Sequence, residues 1–305
     1  MSSASPPGSS PRSTPRPRAL VLEAPLLPSV VFRREAGREG RVLDALGRIG
    51  AAVPPVVAID AAGDVLARPC FVMEHVDGRS LEDTSWAGYH DDPWLQALTT
   101  REQRSIWDSF YDALGRLHRA DPSTIDEADL LACGSADVIS YWRDAVLDVA
   151  PPEAVPRQLA LLDWLITNLQ PRAEDDLAVC MGDARTVNGL VRELEIRTLL
   201  DFEVAYLGNP AADVGYSVFV DELQRTNAAT PLTGAGTADE GWARWAAATG
   251  RDTELRAYWT AFGAMVLGVT ATRAMVQWGL AGPSLEADNP VVAMWEQAVG
   301  RAAHR

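Results

Sequence analysis

Cysteine is scarce in this sequence: Cys70, Cys133 and Cys180 stand far apart, with no CxxC spacing. That excludes a disulfide framework or a zinc knuckle and points to a reducing, cytoplasmic setting. The chain has four histidines, and no pair has metal-ligand spacing. Positive charge is in deficit. A formal net charge of -15 opposes polyanion binding over the whole surface, so neither nucleic acid nor an anionic membrane is an expected partner. The longest nearly apolar interval, between Arg256 and Arg273, falls short of the roughly 20 residues of a membrane span and reads as a buried helix. No secretory leader is visible in the first 18 residues, which lack any apolar run and any acid. There is no internal repeat, and the absence of a GxSxG elbow argues against a serine hydrolase.

What is present suits a globular protein. The chain has 305 residues, of which 47% are hydrophobic and 23% charged, enough for one large domain or two lobes sharing a cleft. Residues 1–18, rich in Ser, Pro and Arg, read as a disordered tail. The run Ala19 to Glu23 reads as a strand, and Arg38 to Ile49 has Val42, Leu43, Leu46 and Ile49 at helical spacing. Val53 to Ile59 and Pro69 to Val76 flank a turn at Asp60 to Asp64 and predict an antiparallel pair. Beyond Gly78 the pattern turns helical, at Thr99 to Ala120, Ala136 to Val149 and Val155 to Leu169. Short strand-like runs follow at 177–180, 189–191 and 197–200, and helices resume at Ala211. The expected division is a tail (1–18), a small lobe with hinge (19–78) and a larger helical lobe (79–305).

Three polar residues fall on loops between those short strands: Asp183 and Asn188 in MGDARTVN, and Asp201 in LLDFE. Phosphoryl transfer needs a group that orients or deprotonates the attacking hydroxyl, together with oxygen ligands for the magnesium on the phosphates. Asp183 suits the first role; Asn188 and Asp201 suit the second. Each alone could be an ordinary turn former. Their order and spacing, an Asp, an Asn five positions on, a strand and then an Asp, match a kinase catalytic loop and metal loop.

The sequence resembles the aminoglycoside phosphotransferase and choline kinase superfamily, especially its bacterial branch of uncertain substrates. There the catalytic loop reads like HGDxxxxN and the metal segment like LDWExAxLGDPxxDLGY; this chain has MGDARTVN and, from Leu200 to Tyr216, LDFEVAYLGNPAADVGY. Phe71 to Gly78 looks like the interlobe hinge, and Leu114 to Asp121 like the LxxLHxxD helix, so the resemblance covers roughly residues 20 to 280. It implies an α+β, protein-kinase-like, two-lobed fold, here with a reduced N-terminal β-lobe, and transfer of the γ-phosphate of ATP, with Mg2+, to a hydroxyl of a small molecule; the acidic balance of the chain suits a neutral or cationic acceptor. It also implies that backbone groups of Glu74 and Val76 hold adenine, and that Glu39 is the acid that pairs with the phosphate-binding lysine or arginine.

The chain departs from the pattern in the small lobe. No glycine-rich strand-turn-strand precedes Leu20, and Glu23 stands where a basic residue is expected. An alternative register makes Val30 to Arg33 the strand and Arg33 or Arg34 the phosphate clamp. Met181 replaces the usual histidine. Asp213 reads as a structural acid and His118 as a buried, satisfied histidine. Glu203 reads equally as a substrate contact or a solvated acid. Trp242, Trp245, Trp259 and Trp278 read as core filling, and the pairs Asp221/Glu222 and Asp239/Glu240 as a solvated face. Two rivals stay open: a pseudokinase that binds without turnover, and an incomplete reading frame.

Overall fold

The apolar run Leu20–Glu23 becomes strand β1, and the two β-rich runs beyond it become β2 (Val56–Asp60) and β3 (Cys70–Glu74). In the computed structural model, which describes residues 19–25, 29–126, 130–282 and 284–304, they form an antiparallel sheet of order β1-β3-β2. The expected tail at 1–18 lies outside the described residues. The pairings Val21 with Met73 and Glu23 with Phe71 put these side chains on one face, because alternate strand residues share a face. The other face carries Leu20 and Leu22, both exposed. Helix α1 (Ala36–Arg48) packs on β2 and β3 and buries Val42, Leu43 and Leu46 in the core that holds Phe71. The alternative strand at Val30 to Arg33 does not form. That stretch is a turn, with Arg33 at φ +52.

The larger lobe opens with α2 (Pro93–Gln96), α3 (Thr100–Leu117), α4 (Ser135–Leu147) and α5 (Pro156–Asn168). Helix α3 starts where Thr99 and Glu102 reciprocally satisfy each other's backbone amides, a capping box. Two small ladders follow: β4 (Ala178–Cys180) with β7 (Tyr206–Gly208), and β5 (Gly189–Arg192) with β6 (Glu195–Leu199). The remainder is α6 (Ala211–Asn227), α7 (Ala238–Thr249), α8 (Arg256–Gln277), α9 (Leu285–Asp288) and α10 (Pro290–Ala303). One contiguous core runs from Leu46 and Phe71 of the small lobe through Trp107 and Leu114 to Trp295.

Helix α8 has 22 residues, longer than its uninterrupted apolar interval, and by length and composition it could cross a membrane. It lies instead against α4, α5, α6 and α10, with 61% of its most apolar window buried. Close approach to α6 depends on Gly215 and Gly263, where a Cβ would collide with the Trp259 carbonyl and the Tyr216 backbone respectively. Trp242, Trp245 and Trp259 fill the core as expected. Trp278 does not: at the end of α8 it is 67% exposed, because the helix stops before a partner covers it.

Candidate functional site

The loop from Met181 to Asn188 is held from behind through its backbone amides. After β4 the chain turns at Gly182, whose φ of +79 places it in the left-handed region; an added Cβ would sit 2.5 Å from the Val204 carbonyl oxygen, so only glycine fits. Asp213, in the first turn of α6, accepts the Met181 N–H at 2.7 Å and the Gly182 N–H at 3.0 Å. Its Oδ2 also lies 3.1 Å from Nε2 of His118, while Trp245 Nε1–H donates to His118 Nδ1 at 2.9 Å. An Nδ1 that accepts puts the ring proton on Nε2, so His118 donates to Asp213. The cluster His118, Cys180 and Asp213 is close enough to resemble a metal site. The histidine and the carboxylate are instead already committed to protein partners, and their role is bracing. Asp213 and His118 therefore fill the structural parts expected of them, and the buried Met181 side chain only packs.

The three loop residues converge. Asn188 Nδ2 donates to the Asp183 carbonyl at 2.8 Å and to its Oδ2 at 3.1 Å, which turns the amide oxygen of Asn188 the other way. The Leu200 N–H donates to the Asn188 carbonyl at 2.8 Å and so brings Asp201, at φ +63, alongside. Arg185 grips Asp183 with two bonds, from Nε at 2.7 Å and Nη2 at 2.8 Å, and Asp83 with a third, from Nη1 at 2.6 Å. Burial opposes ionisation of Asp183, but Arg185, Tyr216 and Asn188 together hold its carboxyl below the usual range. Asp201 goes the opposite way, pushed up to about 6 by burial and by the charge of Asp183.

Asp201 also lines a cleft of about 300 Å³ between the lobes. Leu43, Pro54, Phe71, Met73 and Leu200 give it apolar walls, and Glu23, Arg34, Glu39 and Glu203 a charged end. The cation at that end is Arg34, reaching in from the turn after β1; Arg33 lies over the Phe32 ring instead. Arg34 pairs with Glu23 at 2.8 Å, stands 3.7 Å from Glu39 and contacts Glu203 closely. So Glu39 does meet a basic residue, one carried by a loop, and Glu23 is a second partner of that cation. Burial and the charge of Asp201 push Glu39 up to about 7 and Glu203 to about 8. Glu203 is thereby neither a solvated acid nor an exposed one: it is 15% exposed and faces Arg34. At the hinge, the Glu74 N–H is taken by the Pro55 carbonyl at 2.8 Å. Val76 follows β3 with its side chain half-buried.

Hard oxygen donors suit magnesium. The turned-out amide oxygen of Asn188, the Asp201 carboxylate and the surplus of buried carboxylate around one arginine fit such an ion. Glu39 Oε2 is buried without a hydrogen-bond partner at this end of the cleft. The apolar walls fit a planar base. The other acids fall outside the site: Asp221 is buried against the Tyr89 hydroxyl and Arg225, and Asp239 and Glu240 pair with Arg256 and Arg104. The solvated-face reading therefore fails for Asp221, which sits on the inner side of α6.

Sequence comparison is decisive for the family. A family model described as "Phosphotransferase enzyme family" matches residues 12–248. The chain belongs to the phosphotransferase enzyme family. Among curated relatives of this phosphotransferase-family chain, mouse acyl-CoA dehydrogenase family member 10 is 27% identical over 66% of the chain and 18% of its own length. Human acyl-CoA dehydrogenase family member 11 is 27% identical over 59% and 22%. The chain thus spans about a fifth of the length of the curated relatives it matches. Among solved structures, a candidate aminoglycoside phosphotransferase from Ralstonia eutropha aligns with TM-score 0.67 and 20% identity, covering 93% of this chain and 94% of that one. A choline/ethanolamine kinase family protein from Mesorhizobium loti aligns with TM-score 0.52 and 15% identity over 96% and 88%. A thermostable APH(4)-Ia variant, solved as a ternary complex with ADP and hygromycin B, aligns with TM-score 0.56 and 14% identity over 88% and 84%. These structural alignments establish the fold: two lobes of protein-kinase type, more helical than stranded.

Sequence reasoning offered Arg34 only as an alternative on a strand that does not exist, and it passed over Asp83 and Arg185. One signal was available. All 27 basic residues of this phosphotransferase-family chain are arginine, so any phosphate clamp had to be one.

Proposed function

We propose that the chain transfers the γ-phosphoryl group of ATP to a hydroxyl of a small molecule. The convergence of Asp183, Asn188 and Asp201 beside an apolar interlobe cleft carries this reading. In it, the apolar walls and the hinge backbone at Glu74 and Val76 take the adenine, Arg34 braced by Glu39 faces the phosphates, and Asp183 orients the acceptor hydroxyl and takes its proton. Asn188 and Asp201 hold Mg2+, which when bound neutralises phosphate charge. The relatives solved with ADP, hygromycin B or streptomycin support a nucleotide and a small-molecule acceptor.

A second reading, binding without turnover, is favoured by one observation: three carboxylates already hold Arg34. The thermal midpoint of the purified chain with and without Mg-ATP, read beside ATP turnover, separates the two. Ligand at about 100 times its dissociation constant adds roughly 2.7 kcal/mol of stability. We expect a magnesium-dependent rise and measurable turnover, both lost in Asp201→Ala. A rise without turnover supports the binding protein, and no rise defeats both readings.

A further inference from the structure

Arg34 reaches the cleft from the loop between β1 and α1, yet that loop is fastened to the large lobe. Three carbonyls of the turn just before Arg34 accept hydrogen bonds from large-lobe side chains: Ser29 from Gln277 Nε2 at 3.0 Å, Val30 from Arg273 Nε at 2.7 Å, and Phe32 from the Tyr141 hydroxyl. Arg273 and Gln277 stand one helical turn apart at the end of α8, and Tyr141 is on α4. Arg273 is only 3% exposed, and its Nη1 donates to the Ala145 carbonyl at 2.6 Å and to Asp148 Oδ2 at 2.9 Å, so one guanidinium ties α4, α8 and the turn together. Phe32 fills the space between them, its ring 5.5 Å from that of Tyr141 and 5.3 Å from the guanidinium carbon of Arg273.

The fastening decides which of two consecutive arginines enters the cleft. Arg33 takes φ +52, a region that residues with a side chain rarely adopt, and its guanidinium lies back over the Phe32 ring at 4.6 Å. That reversal sends Arg34 the other way, toward Glu23, Glu39 and Glu203. With the carbonyls of Val30 and Phe32 held, the peptide planes leading into Arg33 cannot turn without breaking a bond. Asp183, Asn188 and Asp201 also belong to the large lobe, so the anchored turn sets Arg34 against them, although β1 and α1 on either side of it belong to the small lobe. A buried guanidinium is costly unless its donors are met, and its planar fork meets carbonyls on two segments at once, which an apolar side chain of similar volume could not.

We propose that Arg273, helped by Tyr141 and Gln277, is the positioning residue for Arg34: a clasp from the large lobe that fixes the phosphate-facing cation relative to Asp183, Asn188 and Asp201. This rests on the phosphotransferase reading above. The part of the nucleotide that the clasp serves is the phosphate chain and not the base, since the apolar walls come from Leu43, Pro54, Phe71, Met73 and Leu200, none of them in the turn. Releasing the turn therefore costs affinity for phosphates and spares adenosine.

The test measures dissociation constants of the full chain for adenosine and for Mg-ADP by titration calorimetry; their ratio is the phosphate gain. The wild type should show a gain, and Arg34→Ala should lose most of it. Arg273→Gln should bind Mg-ADP about tenfold more weakly, the scale of one hydrogen bond to a charged group, with adenosine unchanged. Arg273→Lys, which keeps the charge and a donor, should recover part of the loss. Tyr141→Phe combined with Gln277→Ala leaves Arg273 in place and should lose gain in the same direction, by less. If Arg273→Gln is unfolded by circular dichroism, this double variant carries the test. A full gain in folded Arg273→Gln, or in the double variant when it stands alone, overturns the assignment and makes the clasp purely structural; so does an equal weakening of both ligands. A gain that survives Arg34→Ala, or a wild type with no gain, also overturns it while sparing the base-binding end of the cleft. A wild type that binds neither ligand removes the underlying reading as well.

Discussion

Glu23 and Arg34 face each other 2.8 Å apart across the end of the cleft where phosphates would lie, and each ion pair Arg34 makes competes with a nucleotide for the same charge. Replacing Glu23 by Gln removes one competitor without removing the side chain's bulk. A partly exposed pair of this kind is worth about 1 kcal/mol, so Glu23→Gln should tighten Mg-ADP binding roughly fivefold by titration calorimetry; unchanged or weaker binding would show that Glu23 does not restrain Arg34. The placement of Asp183, Asn188 and Asp201 between the short strands was legible in the sequence because their spacing is local and each needs only a loop. Arg34 was hidden because its position is set by three carboxylates from β1, α1 and the loop that follows β6, contacts that exist only after folding. Met181, which stands where a histidine is usual, is buried, and the backbone there is braced by Asp213, 32 residues away.

Most elements were readable because their signals are periodic or local, such as the capping box of Thr99 and Glu102. Strand β7 was not. Its three residues, YLG, have too few positions for any pattern, and it is a strand only because it pairs with β4. Helix α6 joins the fold to the candidate site: its first turn holds the loop after β4 through Asp213, and its next turn meets α8 at Gly215. Gly215→Ala should cost about 1–3 kcal/mol in chemical denaturation, as overpacking does, while a neutral result would mean α6 and α8 can separate freely. Asp213→Ala strands two buried amides and should cost about 1–3 kcal/mol for each group left unpaired. Its turnover should fall more than its nucleotide affinity, because the loop that loses its brace carries Asp183.

Stability of the whole molecule should respond to acid through His90. This side chain is fully buried, and its Nδ1 accepts the Leu232 N–H at 3.2 Å, a bond that protonation would break. Burial, aided by Arg225, lowers its pKa to about 4. The unfolded chain therefore binds a proton between about pH 6.5 and 4 that the folded chain refuses. Stability falls as pH drops through that window, by up to about 3 kcal/mol. Urea melts at pH 4.5 and 6.5 should show a smaller difference for His90→Gln than for the wild type; parallel losses would clear His90. The two-lobed architecture was legible at this scale because composition changes at Gly78. The continuous core joining the lobes was not, since sequence periodicity says which face is apolar but not which other face will cover it.

A cleft whose cation is an arginine, in a chain with no lysine, has a practical corollary. Activated acyl-phosphate nucleotides, which tag occupied ATP clefts by acylating an ε-amino group, have no such amine to capture here, and neither acetylation nor isopeptide-linked conjugation has a lysine to modify. Guanidinium-directed dicarbonyl reagents are the matching chemistry: protection of Arg34 from phenylglyoxal by Mg-ATP, read by peptide mass spectrometry, would report occupancy of the cleft directly.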